Sequence, residues 1–122
     1  MNIAIIGQNF IFRDSLKILL NQVAGFNVIF DSDEAIKLTG FQDFLSIDVV
    51  LFDDCMRSES FCNSIHKTKQ LHAKAKILLL TDPTDYYYWI NQKEFPVDGI
   101  LLKDLGKKEF EMEIRGLMKT SE

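Results

Sequence analysis

The sequence has few of the residues that mark special classes of protein. Only two of its 122 residues are cysteines, Cys55 and Cys62, and their spacing matches no metal or redox motif. A disulfide framework is not indicated, and a reduced, cytoplasmic compartment is expected. No apolar run approaches the roughly 20 residues of a membrane helix. The chain also begins directly with a strand-like segment, so we expect neither a membrane span nor a signal peptide.

Basic residues and phosphate-binding motifs are scarce as well. The net charge is −4, and the 14 Lys and Arg residues form no stripe, which argues against nucleic-acid binding by this segment alone. His66 and His72 are six residues apart and share no helical face, so they do not predict a metal site. Gly7 is followed by no further glycine of a dinucleotide-binding loop, and a P-loop and a nucleophile elbow are also missing.

What the chain does contain is a regular alternation of strand-like and helix-like segments. Apolar runs begin near residues 3, 26, 47, 76 and 97, and a helical pattern follows each of them. This alternation predicts an α/β fold with right-handed crossovers and a parallel sheet. With 47% hydrophobic residues the chain can form a substantial core, and its length fits one domain covering residues 1–122.

The helical segments each show one apolar face. The second helix is expected over residues 34–44. The predicted inward residues of the first, third and last helices are Phe12, Leu16, Leu19, Leu20 and Val23; Phe61, Ile65 and Leu71; and Phe110, Ile114, Leu117 and Met118.

Three of the apolar runs end in different reactive polar residues. The third run ends at Asp53, the fourth at Thr81 and the fifth at Lys103. Runs rich in branched aliphatic residues and without alternation are typical of strands buried on both faces. Because the carboxyl ends of parallel strands line one edge of a sheet, we expect a carboxylate, a hydroxyl and an ammonium to meet there.

This arrangement resembles the site of the response-regulator receiver domains, the family with the chemotaxis-receiver fold. The segment Asp98-Gly99-Ile100-Leu101-Leu102-Lys103-Asp104 is the most specific match, and it is similar to the NarL/FixJ-type branch. Residues 3–6 and 12–17 also resemble the first strand and helix of that branch. The resemblance implies a flavodoxin-like, doubly wound fold with a five-stranded parallel sheet in the order 2-1-3-4-5.

The resemblance also implies roles for the three strand-end residues. Asp53 occupies the phosphoacceptor position, where a carboxylate forms an acyl phosphate, while Thr81 and Lys103 occupy the positions that contact the phosphoryl group. The alternative is that Asp53 only caps its strand and pairs with Lys103. Thr81 likewise has an alternative role as a turn or cap residue.

The chain departs from the family at its metal site. Where receivers carry two acidic residues that hold magnesium, this chain has Gly7 and Gln8. Asp53 and Lys103 alone sum to zero charge, which removes most of the demand for a cation, and a neutral amide is a poorer magnesium ligand than a carboxylate. We therefore expect Asp53 and Lys103 to lie within about 4 Å of each other without a metal.

Magnesium binding is accordingly expected to be weak or absent, and no other cofactor is expected. If magnesium binds, its ligands would be Asp53 and the backbone carbonyl of Cys55. Substituting aspartate for Gly7 and Gln8 is expected to raise magnesium affinity, provided that the loop keeps the family's shape. Two further departures are Met56-Arg57 in place of Met-Pro, and Ile100 at the aromatic switch position.

The function that the resemblance implies is signalling rather than enzymatic catalysis. The leading hypothesis is an atypical receiver that acts through protein interaction, with weak or absent phosphorylation at Asp53, in a DNA-binding transcription regulator. DNA would be bound only through a helix-turn-helix domain that this chain lacks. The alternatives are a functional phosphoacceptor served by a histidine kinase, and a purely structural dimerisation module.

An aromatic run is the other unusual feature. Tyr86, Tyr87, Tyr88 and Trp89 are consecutive, and helix positions turn 100° each, so they cannot all face the core. Clustered Tyr and Trp are enriched at interfaces. In the family, the fourth helix, fifth strand and fifth helix form the partner face, so we expect a homodimer interface that includes these residues.

Overall fold

The computed structural model describes residues 1–34, 47–53, 59–92 and 96–119. The predicted second helix, over residues 34–44, lies outside this part of the chain except for its first residue, Glu34. The helices α2, α3 and α4 correspond to the third, fourth and fifth predicted helices. In chain order, the elements are β1 Asn2–Ile6, α1 Phe10–Asn21, β2 Asn27–Ser32, β3 Val49–Asp53, α2 Glu59–Leu71, β4 Lys76–Thr81, α3 Pro83–Ile90, β5 Gly99–Leu102 and α4 Lys107–Lys119.

The five strands form one parallel sheet in the order β2-β1-β3-β4-β5. The predicted topology is therefore confirmed. The first connection along the chain leads outward from β1 to β2, and the later strands continue on the other side of β1. Because the order reverses at β1 and β3, their carboxyl ends flank the crevice in which ligands of such sheets bind.

Two apolar layers cover the two faces of the sheet. Alternate residues of the central strands point to opposite faces, and every residue of β3 is buried. One layer packs under α1 and α4, and the other packs under α2 and α3. The buried members of the first layer include Ile3, Ile5, Leu16, Leu20, Leu51, Leu80, Phe110 and Ile114. Those of the second include Ala4, Ile6, Val50, Phe52, Ile65, Ile77, Leu79 and Trp89.

The predicted helix faces agree with the structure except in α2. Phe61 and Ile65 face the second layer as expected, but Leu71 is 53% exposed and Thr68 is buried in its place. At 100° per residue, Leu71 lies about 90° away from the other inward residues, whereas Thr68 lies among them. The Thr68 hydroxyl donates a hydrogen bond to the Ser64 carbonyl at 2.8 Å, so its burial leaves no unpaired donor.

Two aspartates join neighbouring strands at the amino-terminal edge of the sheet. Asp48 Oδ2 accepts a hydrogen bond from the Asn2 backbone N–H at 2.8 Å, and Asp98 Oδ2 accepts one from the Ile77 N–H at 2.8 Å. Each carboxylate thereby satisfies a backbone donor at the start of the adjacent strand. None of the helices described is both long and apolar enough to cross a membrane.

Candidate functional site

The ends of β3, β4 and β5 bring the three predicted site residues to one edge of the sheet. Asp53 is the last residue of β3 and pairs with Leu80, so Thr81 lies one residue further along the neighbouring strand. The Lys103 N–H donates to the Thr81 carbonyl at 2.9 Å, which fixes the start of the loop after β5. The predicted meeting of these strand ends is therefore confirmed.

Asp53 and Lys103 form an ion pair at this edge. Lys103 Nζ lies 2.5 Å from Asp53 Oδ1, and the Asp53 side chain is only 3% exposed. The predicted approach within 4 Å is confirmed. This contact is electrostatic rather than an aligned hydrogen bond, because Asp53 Oδ1 has no hydrogen-bond partner among the described residues. At this separation the Lys103 ammonium is the counter-charge of the buried carboxylate.

Phe12 adds an aromatic wall to the site. The Lys103 ammonium lies 5.7 Å from the centre of the Phe12 ring, within the range of a cation–π contact. Sequence reasoning placed Phe12 on the inward face of α1 but gave it no part in the site. The helix begins just before it, because Asn9 caps α1 by accepting a hydrogen bond from the Phe12 N–H at 3.0 Å.

Gly7 lies directly against Asp53. Ile6 of β1 pairs with Phe52 of β3, so the next residues of the two strands, Gly7 and Asp53, are neighbours. A Cβ built at Gly7 would be 2.8 Å from Asp53 Cβ and 3.3 Å from Asp53 Oδ2. The aspartate side chain therefore fills the space in which a side chain at position 7 would begin.

The residues present do not fit the magnesium ion that the receiver resemblance implies. Gly7 supplies no ligand atom, and the buried Asp53 carboxylate already has an ammonium as its counter-charge. Within the described ranges, no group of three or more His, Cys, Asp and Glu side chains is arranged to hold a metal. The predicted backbone ligand at Cys55, together with Asp54 and Met56-Arg57, falls on residues 54–58, which lie outside those ranges.

A basic cluster supports the loop that carries Gly7. Arg13 Nη1 donates to the Gly7 carbonyl at 2.5 Å, and its Nε donates to Asp31 Oδ2 at 3.0 Å. Lys17 Nζ lies 3.2 Å from the other Asp31 oxygen. Burial alone would raise the pKa of Asp31, but hydrogen bonds from Arg13 and Lys17, together with their charges, hold the pKa below its usual value.

Thr81 is fully buried, and its position also suits the turn that follows β4. Its hydroxyl donates to the Asp82 carbonyl at 3.3 Å, and Pro83 then begins α3. The turn role and a role beside Asp53 are therefore compatible. Ile100, at the predicted switch position, is partly buried against the second apolar layer.

The aromatic run divides between core and surface. Trp89 was predicted to belong to an interface, but it is 2% exposed and packs in the second layer, 5.8 Å from the Phe61 ring centre. Trp89 is therefore a core residue, and the predicted surface is reduced to its tyrosines. Tyr87 and Tyr88 are 72% and 39% exposed, while Tyr86 is partly buried. The eight-residue helix α3 turns one face inward, and Trp89 occupies it.

No family model and no curated protein matches the sequence. Solved structures do match, among them the receiver domain of the response regulator NarL from Mycobacterium tuberculosis, with a TM-score of 0.73, 19% identity, and coverage of 97% of this chain and 95% of that one. A LuxR-family DNA-binding response regulator from Staphylococcus aureus gives a TM-score of 0.76 and 17% identity over 95% and 97% of the two chains.

A third similar structure contains two RcsB dimers bound to two parallel DNAs. Its TM-score is 0.79 with 20% identity, and the match covers 98% of this chain. It covers 61% of the RcsB chain, so this chain spans less than two thirds of that protein. At these identities the likeness concerns the fold, and it agrees with the sheet order. The chain has the fold of a response-regulator receiver domain.

Proposed function

We propose that this chain is an atypical receiver domain that signals through protein interaction, with weak or absent magnesium-dependent phosphorylation at Asp53. It would act in the cytoplasm as a regulatory domain rather than as an enzyme. The fold supports the receiver assignment, and the departures at Gly7 and Gln8 support the atypical mode. The observation that carries the proposal is the buried ion pair between Asp53 and Lys103.

The charge balance at this site disfavours phosphoryl transfer. An incoming phosphoryl group is anionic, so attack by the Asp53 carboxylate requires additional positive charge nearby. Lys103 is the cation in contact with Asp53, and the two charges sum to zero. The acidic pair of the family is missing, and the described residues contain no group of three or more His, Cys, Asp and Glu side chains that could hold a divalent cation.

Intact mass spectrometry after incubation with acetyl phosphate and magnesium chloride tests this proposal. We expect the mass to remain that of the unmodified chain, as it must in Asp53→Ala. A standard receiver with a complete acidic pair, treated in parallel, should gain one phosphoryl group. A gain in the wild-type chain that is as complete as that of the standard receiver, and that disappears in Asp53→Ala, would overturn the proposal.

The second candidate function is a working phosphoacceptor served by a histidine kinase. It is favoured by the retention of Asp53, Thr81 and Lys103 at the ends of three adjacent strands. The same mass measurement separates the two candidates. A phosphorylated product formed with magnesium, but lost in the presence of a chelator, would support this second function.

The output that we propose is control of transcription through a homodimer. RcsB, which shares the fold, was solved as dimers bound to DNA. DNA contact here would require a helix-turn-helix domain that is not in this chain. The exposed tyrosines of α3 support a homodimer interface on the face formed by α3, β5 and α4, because exposed aromatic clusters favour association.

Alanine substitutions test this interface. Tyr87→Ala and Tyr88→Ala should each shift a dimer toward monomer in sedimentation velocity, because truncating an aromatic anchor often weakens association at least tenfold. Ile11→Ala is the matched control, since Ile11 is 77% exposed on α1, which is not one of the three elements of this face. A wild-type chain that stays monomeric at high concentration would contradict the interface.

A further inference from the structure

Gly7 has a steric role that its backbone conformation does not explain. Among the described glycines, only Gly25 has a positive φ angle, at 86°. Gly7 therefore adopts a backbone conformation that is open to other residues. What distinguishes it is its neighbour, because a Cβ at position 7 would be 2.8 Å from Asp53 Cβ. Carbon atoms in contact normally lie about 3.5–4.0 Å apart, so one of the two residues would have to move.

The backbone of Gly7 is held on both sides. Its N–H donates to the Ser32 carbonyl at 2.9 Å, and its carbonyl accepts from Arg13 Nη1 at 2.5 Å. The Arg13 side chain is 12% exposed and is itself paired with Asp31. A shift of the Gly7 peptide away from β3 would therefore disturb hydrogen bonds to β2 and α1.

Asp53 is held from the opposite direction. It belongs to β3, whose residues are all buried, and Lys103 Nζ lies 2.5 Å from its Oδ1. The backbone of Lys103 is in turn bonded to Thr81. Moving Asp53 to admit a side chain at position 7 would therefore disturb the ion pair.

We infer that Gly7 is a positioning residue for the Asp53–Lys103 pair. Asp53 fills the space that the side chain of an acidic residue at position 7 would need. Replacing Gly7 by aspartate would therefore not rebuild a cation site, contrary to the expectation from the sequence. The inference extends the proposed function and rests on it, because the proposed function is what makes a closed magnesium site matter for signalling. Its steric part, however, is testable without any phosphorylation.

A double-mutant cycle measures the contact between the two side chains. Gly7→Ala is made in the wild-type chain and in Asp53→Gly, which removes the atoms that the new Cβ would meet. We expect Gly7→Ala to lower the Tm of the wild-type chain by at least about 4 °C and to lower that of the Asp53→Gly chain by less than half as much. Such coupling would not arise from a general intolerance of alanine in the loop.

Gly116→Ala is the matched control. A Cβ at Gly116 would meet no atom within 4 Å, and the residue lies inside α4, where alanine is the better helix former. Its Tm should equal or exceed that of the wild type. Equal losses for Gly7→Ala in both backgrounds would overturn the inference, and so would an unchanged Tm in the wild-type background.

A second measurement serves if Asp53→Gly does not fold. The Tm of Gln8→Asp and of Gly7→Asp/Gln8→Asp is followed while magnesium chloride is added. We expect the double variant to gain no more from magnesium than the single variant, and a larger gain would overturn the inference. If acetyl phosphate modifies Asp53 while the cycle still shows coupling, the proposed function fails and the positioning role of Gly7 stands.

Discussion

Lys103 neutralises Asp53 across the ends of two strands that are not neighbours in the sheet. Asp53 ends β3 and Lys103 follows β5, with β4 between them, yet Lys103 Nζ reaches to 2.5 Å from Asp53 Oδ1. The long lysine side chain spans the intervening strand beside the Phe12 ring. The pair thus joins the end of β3 to the loop after β5.

Removing Lys103 should destabilise the fold. Lys103→Met leaves the Asp53 carboxylate buried without its counter-charge, and we expect a loss of about 3 kcal/mol in the free energy of unfolding. Urea denaturation followed by circular dichroism measures the loss. The exposed Lys107→Met is the control, with an expected change within about 0.5 kcal/mol. In Lys103→Met/Asp53→Asn the loss should be smaller, and an equal loss would show that charge is not its cause.

Asp31 should contribute to stability only above acidic pH. Its folded pKa lies below the usual value of 3.8, because the hydrogen bonds from Arg13 and Lys17 and their charges outweigh its burial. The unfolded chain therefore takes up the proton first. The contribution is complete above the unfolded pKa of about 4 and is lost as the pH falls through the lower folded pKa.

Asp31→Asn tests this pH dependence. The variant should be less stable than the wild type at neutral pH by on the order of 1 kcal/mol, with the difference narrowing below about pH 4. Urea denaturation over this pH range gives the measurement. The exposed α1 variant Asp14→Asn should change stability by less than about 0.5 kcal/mol at neutral pH. A difference that grows as the pH falls would contradict the assignment.

Asp98 should matter for stability rather than for signalling. Its carboxylate accepts from the Ile77 N–H at 2.8 Å and lies 3.4 Å from Lys69 Nζ. Asp98→Ala leaves a partly buried backbone donor without this acceptor, so we expect a loss of about 1–3 kcal/mol in the free energy of unfolding. Asp104→Ala, in the exposed loop after β5, is the control and should change it little. Equal effects of the two substitutions would refute this role.

Trp89 should stabilise the core rather than an interface. Trp89→Ala removes a side chain that is 2% exposed and should cost about 3–5 kcal/mol in unfolding free energy. Tyr87→Ala, at the most exposed aromatic position of the same helix, should cost little. Chemical denaturation followed by circular dichroism compares the two. If Trp89→Ala keeps the unfolding free energy of the wild type and changes only the molecular mass in solution, Trp89 belongs to an interface and not to the core.

The segment Asp98–Asp104 makes side-chain contacts at both edges of the sheet. Its first residue, Asp98, binds the start of β4 at the amino-terminal edge of the sheet, whereas Lys103 reaches Asp53 at the carboxyl-terminal edge. The resemblance singled out the segment and predicted a role at the site for Lys103. It did not predict the contact of Asp98 with Ile77, because a contact between two strands produces no periodic pattern in the local sequence.

The fold and the meeting of Asp53, Thr81 and Lys103 were predictable because they follow from local patterns. Unbroken aliphatic runs separated by helical periods dictate a parallel sheet, and a parallel sheet collects its strand ends at one edge. The replacement of the acidic pair by Gly7 and Gln8 could likewise be seen in the sequence. These features depend on residue type and spacing along the chain alone.

The contacts that decide how the site is held depend on which strands lie side by side and in what register. The approach of Gly7 to Asp53 follows from the pairing of β1 with β3, in which Ile6 lies beside Phe52, 46 residues further along the chain.

Three outcomes were decided by tertiary structure in this way. Trp89 is buried because α3 packs this face on the second apolar layer, and the run of four aromatics does not reveal which one turns inward. Arg13 donates a hydrogen bond to Asp31, which lies 18 residues further along the chain. Asp53 fills the space beside Gly7 because two strands distant in sequence are adjacent in the sheet. Sequence patterns specify which elements form and which faces are apolar, whereas side-chain contacts between elements are set by packing, which depends on the whole fold at once.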